Sequence, residues 1–266
     1  MTKPFAALWL PLLSAFCLGA QAHTPYLLPV SFEAQPKAVI SVDASFADKF
    51  FIPEVAFGET QFTLTAPDGS VTPLSDVRQF KTRTVAEHRL PDEKGTYRIS
   101  TGPRLGAIFR SWERNGKVET ARDPGTPTPA DARLLSHYQS LSVSETYVTV
   151  GKPSQTALAP TGKGLEIVPL THPSDLFAGE KFEFSVQYEG KPVANHKVEI
   201  FRSAMDLASQ HSVDALTTDA QGRISYALPR SGVYLALVRL RADAPAGAAA
   251  PQYGNNYTLT FRVLAQ

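Results

Sequence analysis

The chain consists of many short strand-like segments, each closed by a turn signal, and this alternation constrains its fold more than any other feature. β-Branched and aromatic residues fill residues 38–46 (AVISVDASF). Comparable runs occupy residues 61–65, 71–74, 96–100, 105–112 and 141–150. Turn clusters such as the Pro-Asp-Gly of residues 67–69 separate them, because Pro presets φ and Gly permits positive φ. The pattern predicts an all-β fold, with one helical turn at residues 130–138 that Asp131 could cap.

The second half of the chain repeats this pattern more regularly. Six strand candidates occupy residues 165–170, 181–188, 197–201, 222–228, 232–240 and 256–263. Short strands at this spacing are typical of an antiparallel immunoglobulin-like sandwich of about 100 residues. We therefore expect two β-sandwich domains, residues 23–152 and 165–266, joined by a flexible linker at residues 153–164.

The N-terminus has the three parts of a secretory signal peptide, which we assign to residues 1–22. Lys3 supplies the charge, residues 5–18 form the apolar run, and residues 20–22 (AQA) form a cleavage site. The apolar run is shorter than the roughly 20 residues that span a bilayer, and no later segment comes close. We therefore expect a periplasmic protein without a membrane span in its mature chain, which would begin at His23.

Composition narrows the chemistry of any site. The single cysteine, Cys17, lies in the predicted signal, so the mature chain offers only N and O donors to a metal. The chain has 26 Lys and Arg residues and 25 Asp and Glu residues, so without Lys3 the side-chain charges of the mature chain sum to zero. The sequence has no basic stripe that would indicate binding to nucleic acid. A Gly-rich phosphate loop, a G-x-S-x-G motif and an H-E-x-x-H motif are all missing from the sequence, which favours a protein that is not an enzyme.

His23 would be an unusual metal ligand if it began the mature chain. Its α-amine and imidazole share one Cα and can close a chelate ring on a metal ion. An α-amine titrates near 8 (about 7.7–8.0), so a cation can displace its proton at neutral pH. Imidazole is a common ligand of copper, nickel and zinc. The alternative interpretation is that a histidine follows the cleavage site by chance.

A second imidazole would complete such a site. His88 is the first candidate, because strand alternation places it with Leu90 on an apolar face, although it could equally be a core histidine. His137 is the second candidate, against a default as a surface residue. We assign His172, His196 and His211 to turns and polar loops. The aromatic residues are expected to fill the core rather than to form a substrate-binding face; they include Tyr26, Phe46, Phe50, Phe51, Phe57, Phe109 and Trp112.

Several segments together resemble the NikM-like family of periplasmic nickel and cobalt uptake components. The resemblance rests on residues 22–29 (AHTPYLLP), 65–69 (TAPDG), 95–99 (GTYRI), 164–173 (GLEIVPLTHP), 178–182 (AGEKF), 190–193 (GKPV) and 218–223 (TDAQGR). It covers nearly the whole mature chain and is stronger in the second half. It implies an accessory protein that binds a transition-metal ion or chelate for uptake, together with a membrane transporter or an outer-membrane receptor.

The sequence thus predicts a metal site of His23, His88 and His137 that holds nickel, cobalt or copper. Three nitrogen donors in a plane suit Cu(II) or Ni(II) better than tetrahedral zinc, and the Irving–Williams order favours copper whatever the cargo. One alternative is a copper-dependent polysaccharide oxidase, which also uses an N-terminal histidine. Another is that the second domain is an adhesion or interaction module without a metal.

Overall fold

The structure is a computed structural model that describes residues 23–123, 125–203 and 214–266. The predicted signal peptide and His211 lie outside the described residues. The strands of the first half are β1 (Thr24–Pro29), β2 (Glu33–Ala34), β3 (Val39–Ala47), β4 (Val55–Ala56), β5 (Thr63–Thr65), β6 (Val71–Pro73), β7 (Asp76–Gln79), β8 (Thr84–Arg89), β9 (Gly95–Ser100), β10 (Arg104–Arg114), β11 (Lys117–Ala121) and β12 (Arg133–Val150). Those of the second half are β13 (Leu165–Pro169), β14 (Lys181–Tyr188), β15 (Lys191–Pro192), β16 (Lys197–Arg202), β17 (Asp214–Thr217), β18 (Arg223–Ala227), β19 (Gly232–Asp243) and β20 (Gln252–Val263).

The all-β prediction is confirmed, and each of the six strands predicted in the second half is present. In the described part of the chain, no helix is long and apolar enough to cross a membrane. The helical turn predicted at residues 130–138 is wrong, because β12 already begins at Arg133. Tyr138 pairs with Phe109 of β10 on one side and with Gln252 of β20 on the other. Cross-strand pairing of this kind overrides a local capping signal.

The described strands form three sheets, two of which cover opposite faces of the third. The N-terminal sheet has the order β1-β3-β8-β7, with β4 beside β3. The central sheet runs β17-β16-β19-β20-β12-β9-β5-β6, with β10, β11 and β2 joined to this path. The C-terminal sheet contains β13, β14, β15 and β18. Because the central sheet takes strands from both halves of the chain, the two predicted sandwiches share it.

Each sandwich encloses its own apolar core against one end of the central sheet. In the first, the N-terminal sheet packs on β5, β9 and β12 through a cluster that includes Leu27, Val42, Leu64, Ile99 and Val148. In the second, the C-terminal sheet packs on β16, β19 and β20 through a cluster that includes Phe182, Phe184, Val198, Val238 and Phe261. The β-sandwich prediction is therefore confirmed.

Two further features connect the halves. β12 and β20 pair in parallel from Tyr138↔Gln252 to Thr146↔Thr260. A third apolar cluster joins Tyr26 and Phe50 of the first half to Leu235 and Leu237 of β19. The predicted linker at residues 153–164 contains a 3₁₀ turn, Thr156–Leu158, whose Leu158 is buried in the second core. The segment expected to be a flexible connection is thus anchored in the second core.

Candidate metal centre

One corner of the N-terminal sheet brings three chain segments together around His23. β1 is antiparallel to β3, with Thr24 opposite Ala47, so the residue before β1 meets the segment that follows β3. That segment returns to β4, where Val55 pairs with Phe46. The start of β1, the end of β3 and the approach to β4 therefore meet at this corner, and they carry His23, Asp48 and Glu54.

Three donor atoms lie close together at this corner. The Nδ1 atom of His23 is 3.0 Å from Oε2 of Glu54 and 3.9 Å from Oδ1 of Asp48. The other oxygen of Glu54, Oε1, accepts the backbone N–H of Asp48 at 3.0 Å, which fixes the carboxylate. The three side chains remain 35–44% exposed, so an ion can reach them from solvent. Within the described residues, this is the group of His and acidic side chains whose ligand atoms all lie within 4.8 Å of one another.

The geometry suits a transition-metal ion. Ligand nitrogens and oxygens lie about 2.0–2.2 Å from a metal such as zinc, so two adjacent ligands at a right angle are about 3 Å apart. The Nδ1–Oε2 distance of 3.0 Å matches that spacing. Nδ1 is also the ring nitrogen that shares a chelate ring with the α-amine of the same residue. The corner therefore offers an imidazole, two carboxylates and, in a chain beginning at His23, an amine.

Aromatic packing holds the segment that carries both carboxylates. Tyr26 of β1 contacts Phe50 and Phe51 edge-on, with ring centroids 6.3 and 5.1 Å apart. Phe50 also packs against Phe201 of the second half at 5.0 Å. Tyr26 and Phe50 are only 1% and 3% exposed, as expected for core residues. Phe50 and Phe51 thus anchor the segment between Asp48 and Glu54, which limits the ordering that ion binding would require.

The structure does not bring His88 to this corner. His88 lies on β8 opposite Ile40, and Asp48 follows Ile40 by eight residues, just past the end of β3, or about 25 Å away at the usual rise per residue. Its Nδ1 accepts the backbone N–H of Ser75 at 3.2 Å, and burial lowers its pKa. Its predicted apolar face is confirmed, since Ala86 and Leu90 are buried. The strand alternation that made His88 a candidate ligand thus places it within the sheet, where its Nδ1 already accepts a hydrogen bond.

His137 is separate from the cluster too. It lies on β12 opposite Arg110, whose Nε donates to its Nε2 at 3.2 Å. Burial and the positive charge of Arg110 lower its pKa. Asp48 and Glu54, rather than His88 and His137, are the possible ligands beside His23. The sequence analysis did not identify them, because the carboxylates follow no pattern along the sequence. An antiparallel pairing of residues 24–29 with 42–47 would have placed residue 48 opposite His23, and that register was the available signal.

His172 occupies a structural position between the two sandwiches. Its Nδ1 accepts the backbone N–H of Ser174 at 3.1 Å, so the ring proton is on Nε2. Nε2 lies 3.1 Å from the Ser154 carbonyl oxygen, which accepts that proton, and 3.0 Å from Oγ1 of Thr96. Burial, partly opposed by the Ser154 hydrogen bond and by Asp175, lowers the pKa of His172. The folded protein therefore favours the neutral ring.

Because His172 is buried as a neutral ring, we predict that the stability of the protein depends on pH. In the unfolded chain a histidine titrates near 6.5, whereas folded His172 takes up its proton at lower pH. The stabilisation is therefore complete above about pH 6.5 and is lost as pH falls from there through the folded pKa. We expect the melting temperature to fall between pH 7.5 and pH 5, and to fall less for His172→Gln. Equal losses in both proteins would contradict the prediction. His196→Gln, which removes an imidazole from a position near the start of β16, serves as the matched control.

Comparisons with known proteins place the chain in a family without an assigned activity. A family model described as "Domain of unknown function (DUF4198)" matches residues 20–242, which span both predicted domains. No curated protein matches the chain.

Three solved structures are similar to the chain at low sequence identity. The adhesin InvE of Yersinia pseudotuberculosis is 14% identical, over 90% of this chain and 58% of that one, with a TM-score of 0.23. The D0-D1 domain of intimin is 14% identical, over 88% of this chain and 96% of that one, with a TM-score of 0.22. A DUF4785 family protein of Legionella pneumophila is 10% identical, over 80% and 50% of the chains, with a TM-score of 0.25. The chain spans about half the length of the first and last of these.

Proposed function

The chain belongs to the DUF4198 family, and we propose that it is a periplasmic accessory protein that binds a transition-metal ion for uptake at His23, Asp48 and Glu54. One observation carries the proposal: Nδ1 of His23 lies 3.0 Å from a carboxylate oxygen of Glu54, with Asp48 beside them. The proposal requires cleavage after Ala22, which adds the α-amine as a fourth donor. The resemblance to NikM-like proteins supports a role in nickel or cobalt uptake.

The donor set indicates which ions the site would prefer. Two nitrogens and two carboxylates suit Cu(II) or Ni(II), which favour tetragonal sites of N and O donors. Copper should bind most tightly in solution because of the Irving–Williams order, whatever ion the cell supplies. The two carboxylates offset the charge of a divalent ion. Since the three side chains are partly exposed, a membrane transporter or an outer-membrane receptor could take the ion without unfolding the site.

We propose binding rather than catalysis. A copper-dependent polysaccharide oxidase would need exposed aromatic rings beside the metal to hold a glycan. Phe50 and Phe51, which lie between Asp48 and Glu54, instead pack on Tyr26 in the cluster that joins the two halves, and Tyr26 and Phe50 are buried. Reductant-dependent oxidation of a glycan by copper-loaded protein would support the enzyme instead.

The decisive experiment compares two N-termini. Protein that begins at His23 is titrated with Cu(II) and with Ni(II) in the presence of a competing chelator, next to a variant with five alanines before His23. The extension converts the α-amine of His23 into an amide and puts the new α-amine too far along the chain to close a small chelate ring with the imidazole, so we expect the affinity to fall by about 100-fold or more. Equal melting temperatures of the metal-free proteins provide the control for folding. Equal affinities would exclude a chelate through the N-terminus.

A further inference from the structure

A large cavity lies on the face of the central sheet that points away from the metal centre. Its volume is about 950 Å³. β5, β9, β12 and β20 form its floor, and residues 161–166, 188–189 and 243–245 form its walls. Strand alternation separates the two faces: Val143 and Glu145 of β12 line the cavity, whereas Ser144 and Thr146 point towards the side that β1 covers. The cavity is therefore independent of His23.

Glu145 is the most distinctive group in the cavity. Its side chain is buried, with 7% of the residue exposed. The Tyr257 hydroxyl donates to its Oε2 at 2.5 Å. Burial, followed by the charge of Glu145, raises the pKa of Tyr257 well above its usual value, so the phenol keeps its proton and donates. Among the described residues, Tyr257 is the one hydrogen-bond donor to this carboxylate, and no basic side chain lies within ion-pair distance of it.

The neighbouring charges are already used within the protein. Glu166 accepts both the N–H and the hydroxyl of Thr161 at Oε2 and the N–H of Gly162 at Oε1. Arg98 donates from Nη1 to the carbonyl of Ala159 at 3.1 Å. Although burial opposes it, the pKa of Arg98 is raised, chiefly by the charge of Glu145. The wall therefore holds two buried carboxylates and one guanidinium, and Glu145 retains an oxygen with free acceptor capacity.

The exposed residues of the cavity lining add to its negative charge. Lys163 is the one further basic residue of the lining, against the acidic Glu189 and Asp243. The whole lining thus carries four acidic and two basic side chains. An anion would enter against this balance, whereas a cation would reduce it. A buried carboxylate is costly, and a cationic ligand at hydrogen-bond distance would offset that cost further than the nearby charge of Arg98 does from beyond ion-pair distance.

The rest of the lining indicates what the cation would be attached to. Tyr188, Tyr253 and Tyr257 contribute aromatic side chains to the lining, and the face of an aromatic ring attracts cations. Leu141, Val143 and Leu165 supply apolar surface. We propose that this cavity binds a small organic cation, an amine or guanidinium carried on an apolar body, with Glu145 as its counter-ion. A volume of about 950 Å³ accommodates such a molecule, since small-molecule sites usually measure about 300–1,000 Å³.

Three probes with the same ring test the proposal by calorimetric titration in the presence of EDTA: phenethylamine, the neutral 2-phenylethanol and the anionic 3-phenylpropionate. We expect the amine to bind at least about tenfold more tightly than either analogue. Glu145→Gln preserves the shape of the side chain and should weaken amine binding by at least about tenfold. Glu87→Gln, an exposed residue of β8, removes the same charge elsewhere and should leave it unchanged.

The comparison of probes on the unaltered protein decides the question even if Glu145→Gln fails to fold. Equal binding of the amine and the alcohol, or no binding of the amine, would overturn the proposal. If Glu145→Gln and Glu87→Gln lowered the affinity for the amine equally, the effect would be one of net charge, and this result would also overturn the proposal. Because EDTA removes metal ions and the cavity lies on the other face of the sheet, the outcome is independent of the metal centre.

Discussion

Neutralising both carboxylates of the proposed metal centre, by Asp48→Asn together with Glu54→Gln, is expected to lower the affinity for Cu(II) or Ni(II) by about 100-fold or more. Even residues that only orient metal ligands change affinity by about 10–100-fold, and these two would be ligands themselves. The amides keep the volume of the side chains but lose the two negative charges that offset the ion. Glu54→Gln alone should account for the larger part, because its oxygen lies 3.0 Å from Nδ1 of His23, against 3.9 Å for Asp48.

The measurement is a competitive titration of protein that begins at His23. The matched control is Asp76→Asn together with Glu87→Gln, which removes the same two charges from exposed positions on β7 and β8. If the control lowered the affinity as much as the test pair, the effect would be one of net charge, and the assignment of ligands would be wrong. A double variant that retained full affinity would leave the N-terminal chelate as the whole site.

Some features of the site could be read from the sequence because they are local. The position of His23 after a predicted cleavage site needs only neighbouring residues. The face of His88 follows from alternation along one strand. The distance between His88 and His23 does not follow from alternation, because it depends on the register in which β1 and β8 pair with β3. Asp48 and Glu54 become neighbours of His23 only through the β1–β3 pairing, a relation between segments about 20 residues apart.

The sequence could not predict that the two halves share a sheet, for the same reason. Alternation predicted the strands of the second half within a few residues. It assigned them to a separate sandwich, because a period of two residues says which face is apolar but not which strand lies alongside. β12 and β20 are parallel and more than 100 residues apart, so no hairpin turn marks their pairing. The cavity with Glu145 exists only because of that pairing and could not be predicted.

Phe182→Ala is expected to have the largest effect on stability, lowering the free energy of unfolding by about 4 kcal/mol. Phe182 is fully buried on the C-terminal sheet, and its ring centroid lies 5.0 Å from that of Phe184 and 4.7 Å from that of Phe261 on the central sheet. Truncation removes apolar surface, leaves a cavity and breaks the contact between the two layers. For a chain of this size the melting temperature should fall by about 10 °C.

The matched control is Phe80→Ala, which removes the same ring from a position that is 56% exposed and should change stability by less than about 0.5 kcal/mol. Urea unfolding followed by circular dichroism measures both variants. Because β12 and β20 pair along nine residues and Phe50 packs against Phe201, destabilising the second sandwich should also destabilise the first. We therefore expect one cooperative transition that shifts as a whole. Two transitions, with only the weaker one moved by Phe182→Ala, would show that the sandwiches unfold separately despite their common sheet.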